Sequence, residues 1–146
     1  MKFILVPLIV YIVNQLIKFF VLLKRRRNIL GNRFSWSVLW VGSFPSAHTA
    51  ILTSALYLVG LSQGLGAMFG FCLFLALIII YGLLEDRKRE LIFESYFAKS
   101  QDLALRTIIK DKILLDFSGH SIFDVAFAVF EGVALTFIIT QYFIKL

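Results

Sequence analysis

A chain of 146 residues, 60% of them hydrophobic, 16% aromatic and 16% charged, has room for one domain and is far more apolar than a soluble one, which holds roughly 45–50% apolar residues. With a mean hydropathy of +0.87, the composition indicates an integral membrane protein and excludes intrinsic disorder, and the lone Cys72 excludes an internal disulfide framework. The net charge of +6 in so apolar a chain reads as juxtamembrane charge facing anionic lipid head groups, not as a nucleic-acid surface.

A membrane-crossing helix needs about 20 mostly apolar residues. Residues 3–23 are the first candidate, interrupted by Asn14, Gln15 and Lys18. Met1-Lys2 precedes them, as in a signal peptide. No small-residue cleavage site follows, however, and Lys24-Arg25-Arg26-Arg27 closes the segment like a stop-transfer block, so a retained helix is expected. Residues 28–44 hold Trp36 and Trp40, which suit an interfacial or partly re-entrant segment. A second span is expected at 46–61, short for a full crossing, then a turn at Ser62-Gln63-Gly64-Leu65-Gly66. The third covers 67–84 and ends in the charged run Glu85 to Glu90. From 91 to 117, apolar residues such as Leu91, Phe97, Leu105, Ile109 and Leu114 alternate with charged ones, the pattern of a helix lying on a membrane or against a partner. The fourth span is expected at 121–143. The expected fold is therefore all-α: one membrane domain, residues 1–146, of about four transmembrane helices plus a cytoplasmic amphipathic helix.

The positive-inside rule sets the orientation. Lys24–Arg27 lies inside, the second helix runs outward, the third returns, and Arg87–Arg89 is again inside. A multi-pass protein of the cell membrane with both termini outside follows. This topology gathers the polar residues. Lys18, the stretch Ser43-Phe44-Pro45-Ser46-Ala47-His48, Arg87, and Ser118-Gly119-His120-Ser121-Ile122-Phe123-Asp124 all come to the cytoplasmic side at one depth. Ionisable groups in a membrane are costly and default to a functional reading.

The chemistry these residues suit is phosphoryl recognition. Pro45 and Ser46 open a helix whose N-terminus favours an anion. Lys18 and Arg87 can neutralise phosphate oxygens, Arg with two parallel hydrogen bonds. His120 and Asp124 are spaced as an i,i+4 pair, in which a carboxylate can orient an imidazole. Such a histidine can attack phosphorus while His48 protonates the leaving oxygen or activates water. No metal or other cofactor is required.

At these residues the chain resembles the divergent PAP2 family, small membrane proteins related to type 2 phosphatidic acid phosphatases and vanadium haloperoxidases. The resemblance rests on Pro45-Ser46-Ala47-His48, on Gln15-Leu16-Ile17-Lys18, on the stretch from Tyr81 to Arg87, and on Gly119-His120-Ser121-Ile122-Phe123-Asp124-Val125. It implies a PAP2-like helical core. The superfamily's first motif, Lys-x6-Arg-Pro, is met by Lys18 and Arg25, with Arg26 in place of the proline. Its second, Pro-Ser-Gly-His, is met at Pro45, Ser46 and His48, with Ala47 for glycine, and implies that His48 is the general acid. Its third, Ser-Arg-x5-His-x3-Asp, is met at His120, implied to be the nucleophile, and at Asp124, its orienting carboxylate. Ile113 and Leu114 stand where Ser-Arg would be. The divergent branch places an Asp five residues before a basic pair after the third span. Here Gly82 replaces that Asp and Arg87-Lys88 keeps the pair, so Arg87 stands in for the missing arginine.

Each residue also has a plain structural reading. Lys18 can snorkel to the interface, Arg25 to Arg27 can serve orientation alone, and Asn14 and Gln15 can hydrogen-bond between helices. Glu131, within the fourth span, needs a partner that the sequence does not name. The expected activity is that of a membrane-embedded, metal-independent lipid phosphate phosphatase or phosphotransferase working through a phosphohistidine on His120. Asp124 and His48 would assist, and Lys18, Ser46, Arg87 and Arg25 would bind the phosphoryl group. The alternative is a non-catalytic protein that binds anionic lipids or scaffolds a partner. The expected partners are membrane lipids and a lipid phosphate, with no nucleic acid. A homodimer would shield the polar interior better than a single copy.

Overall fold

In the computed structural model, residues 2–26, 44–99 and 120–143 are described. The tryptophan-bearing segment at 28–43 and the amphipathic stretch beyond Lys99 lie outside the described residues. Four helices and no strand occur among the described residues: α1 (Lys2–Arg26), α2 (Ala47–Gln63), α3 (Ala67–Ala98) and α4 (Ile122–Tyr142). Three segments are long and apolar enough to cross a membrane, Phe3–Val21, Ala67–Phe93 and Ile122–Tyr142, and they make this a multi-pass membrane fold. With its 17 residues, α2 extends about 25 Å at 1.5 Å per residue. It packs against α1, α3 and α4, so its shorter length sits inside protein.

The packing follows from helical periodicity, because residues four apart share a face. On α1 the buried stripe is Val6, Val10, Asn14 and Lys18, apolar in its first half and polar in its second. On α2 it is Ala47, Ala50, Ser54 and Leu58, and on α4 it includes Ala128, Gly132, Thr136 and Thr140. Small residues on facing stripes let backbones approach closely, the main source of helix affinity in a bilayer. At Gly132 the approach is tightest. A Cβ there would lie 2.6 Å from the Ala50 carbonyl oxygen and 3.1 Å from Thr53 Cβ. One turn along, Thr136 Oγ1 sits 2.7 Å from Ser54 Oγ and 2.6 Å from its own helix's Gly132 carbonyl, so the buried hydroxyls are satisfied.

α3 is built differently. Only 6% of its spanning window is buried, and Phe71, Phe74, Leu77, Ile78 and Tyr81 are exposed. In a membrane that apolar surface faces acyl chains. The turn from α2 uses Gly64 at φ +71°, whose N–H donates to the Gly60 carbonyl at 3.0 Å. This is a left-handed conformation that glycine adopts without strain. The helix does not stop at Leu84 as the charged run suggests. It continues to Ala98, and residues 91–98 are its last turns, not the start of a separate helix. No glycine or proline interrupts it after Gly82, and i,i+3 ion pairs Arg87–Glu90 (2.7 Å) and Lys88–Glu85 (2.5 Å) support its exposed side.

The Gly132 contact predicts a paired outcome in detergent melts followed by circular dichroism. Gly132→Ala should lose about 1–3 kcal/mol, because backbone must move to admit the methyl group. Gly70→Ala, at a position open to 4 Å, should be neutral or gain up to about 1 kcal/mol.

Candidate functional site

The polar residues collect at one end of the bundle, where α2 and α4 begin and the second halves of α1 and α3 arrive. Ser46 is the N-cap of α2. Its Oγ accepts from the Thr49 N–H at 3.4 Å and lies 3.0 Å from Thr49 Oγ1, and both residues are fully buried. Pro45 precedes the cap and cannot donate a hydrogen bond, so it suits a helix entrance. Phe44 ties this entrance to that of α4: its ring stacks on Phe123 at 5.8 Å and packs against Phe127 at 4.7 Å. Such ring pairs add roughly 0.5–1.5 kcal/mol each beyond burial. They fix the two helix entrances side by side.

α4 opens with a capping box. Ser121 Oγ accepts from the Asp124 N–H at 3.2 Å, and Asp124 Oδ2 accepts from the Ser121 N–H at 2.8 Å. His120 therefore stands one residue ahead of the N-cap, not on the helix, and the helical i,i+4 geometry read from its spacing to Asp124 does not apply. Its N–H instead donates to the Leu83 carbonyl of α3 at 3.0 Å. The imidazole is buried at 3% exposure, and its Nδ1 has no hydrogen-bond partner. Burial pushes the imidazole pKa down to about 4. The positive charge of Lys18 and the nearby His48 act in the same direction, and Asp124 opposes them. At neutral pH the ring is uncharged, with a lone pair available.

Lys18, His48 and Asp124, from three helices, thus all lie within electrostatic reach of His120. They differ in setting. Lys18 is buried at 3% exposure and makes no ion pair among the described residues. His48, in the first turn of α2, is exposed, and Asp124 is half-buried with one oxygen engaged in the cap. Arg87 lies one turn beyond Leu83 on the same face of α3, but its guanidinium is paired with Glu90 and points partly to the outside. The Arg25 side chain lies outside the described residues. Deeper in the bundle, Glu131 finds the partner that its sequence context leaves unnamed: Asn14 Nδ2 donates to Glu131 Oε2 at 2.8 Å.

Comparison with known protein families gives a match over most of the chain. The profile of the family described as the divergent PAP2 family covers residues 1–135. The chain belongs to the divergent PAP2 family. No curated protein and no solved structure matches it. Membership brings a relationship to PAP2-type phosphatases. An uncharged imidazole is a nucleophile, a neighbouring ammonium can neutralise an anion, and two helix N-termini aim their dipoles at the same region. Sequence reasoning missed Phe44 and Phe123 as the clasp, and the Leu83 carbonyl as the anchor of His120. The first two stand inside the quoted motifs. The third is a backbone group and leaves no sequence signal.

The His120 setting fixes a pH dependence. Its pKa is near 4 in the folded state and near 6.5 when unfolded. Between these values the unfolded chain takes up a proton that the folded one refuses, so stability falls as pH drops from about 6.5 toward 4. Melting midpoints measured across that window should decline more steeply for the natural chain than for His120→Asn.

Proposed function

We propose that the chain is a metal-independent phosphatase or phosphotransferase for a lipid phosphate, with its site on the cytoplasmic side. The observation that carries this reading is the buried, uncharged His120 beside Lys18, Asp124 and His48 in a divergent PAP2 chain. One ring nitrogen of His120 attacks phosphorus, the bond from phosphorus to the lipid oxygen breaks, and His48 gives that oxygen a proton. Water, deprotonated by His48, then attacks the phosphohistidine and releases phosphate, returning the imidazole to its uncharged form. Lys18 and Ser46 hold phosphoryl oxygens, with Arg87 and Arg25 joining from α3 and α1. Asp124 stabilises positive charge as it builds on His120. Arg87 must leave Glu90 to take part.

A second reading keeps the same anion site without turnover. It is favoured by two engagements: Asp124 Oδ2 is held by the helix cap and Arg87 by Glu90. In that case the protein binds anionic lipid head groups.

Phosphate release from a panel of lipid phosphates by purified protein separates the two. Turnover should fall at least about 1,000-fold in His120→Ala and about 100-fold in His48→Ala, and vanadate should inhibit. Release that survives His120→Ala would sink the covalent route, and no release from any lipid phosphate would leave the binding reading. For sidedness, Arg89→Cys in a Cys72→Ser background should react with an impermeant thiol reagent only after the membrane is opened. Labelling of intact cells would place the site outside.

A further inference from the structure

Glu131 is 5% exposed in the middle of α4, and only one of its oxygens is satisfied. Its Oε1 is buried without a hydrogen-bond partner, and so are Asn14 Oδ1 and Gln15 Oε1. All three are acceptors, in a bundle where the bilayer offers no water to serve them. The complement stands one turn away. Lys18 is buried with no ion pair among the described residues, and an ammonium carries three donors and no acceptor. Asn14 and Gln15 are its i−4 and i−3 neighbours on α1. Helical side chains lean toward the N-terminus of their helix, so the four-carbon stem of Lys18 can lay its Nζ over the turn that holds them. Glu131 and Asp124 are the carboxylates whose charge reaches Lys18. Asp124 is occupied at the helix cap, and Glu131 has an oxygen to spare.

We infer that Glu131 is the resting counter-charge of Lys18. With no anion bound, the ammonium lies toward Glu131 Oε1 and the two amide oxygens of the preceding turn. An arriving phosphoryl group draws it the other way, toward His120. Glu131 is then a positioning residue acting through Lys18, and it competes with the phosphoryl group for that cation. The displacement half rests on the phosphoryl-binding reading above; the counter-charge half does not.

A four-protein cycle in detergent tests the counter-charge without any activity. Lys18→Met and Glu131→Gln should each lower the melting midpoint by about 5 °C or more, because each leaves one buried charge unopposed. The double variant should regain more than half of the larger loss. Losses that simply add would overturn the pairing. Should Lys18→Met fail to fold, recovery of folded protein in the double variant supports the pairing, and failure of both overturns it. Inorganic phosphate then tests displacement. It should raise the midpoint of the natural chain, bind about 3–10-fold more tightly to Glu131→Gln, and have no effect on Lys18→Met. Weaker binding to Glu131→Gln would overturn displacement. Phosphate that stabilises none of the proteins would retire the phosphoryl reading and the displacement with it, while a non-additive cycle would still support the counter-charge.

Discussion

The contact of Gly132 with the Ala50 carbonyl sets the distance between α2 and α4, and the other arrangements follow from that distance. A hydrophobic effect cannot hold helices together in lipid, since acyl chains are as apolar as leucine. Close backbone contact and interhelical hydrogen bonds must do it. With α2 and α4 so close at Gly132 that a Cβ there would strike the Ala50 carbonyl, Ser54 and Thr136 come within hydrogen-bonding range, and the entrances of α2 and α4 lie close enough for Phe44 to bridge them. α1 then closes over both, and its Asn14 meets Glu131.

Because α2 and α4 begin at the same end, their dipoles point their positive poles at one region, and Lys18 adds a full charge there. That end of the bundle is electropositive by construction. The helices manage their own entrances locally, through the Ser46 cap and the Ser121–Asp124 box. His120, one residue outside its helix, is left with an unengaged ring nitrogen. A polar atom without a partner costs folding energy, and it is also what a reactive group requires.

Much of this was legible in the sequence, and the boundary has physical causes. The runs of apolar residues announce α1, α4 and the start of α3 within a few positions, since helix length and hydropathy are local properties. α2 was marked by Pro45-Ser46 at its start and Gly64 at its end, both of which act through backbone geometry. α3 runs on past the charged run expected to close its span, because Arg87–Glu90 and Lys88–Glu85 let the same residues continue the helix. For the candidate site, alternating helix directions are enough to bring Lys18, Ser46, His48 and His120 to one end of the bundle. Their hydrogen-bond partners were not legible in the sequence. Asp124 follows His120 by four residues, a spacing that describes a helical pair only when both residues are helical, and the Ser121 cap places the helix boundary between them. The Asn14–Glu131 bond joins distant positions and has no local signature.

That bond spans 117 residues, and the interval has a temporal meaning. At chain growth of roughly 5–20 residues per second, Asn14 is made about 6–23 seconds before Glu131 exists. α1 therefore enters the bilayer before its Asn14 has the carboxylate that it meets in the folded chain. Its apolar first half, Val6 and Val10 among it, has to keep it there until the last helix is synthesised. Until then, the newborn chain is a membrane protein whose first helix carries an unmatched amide.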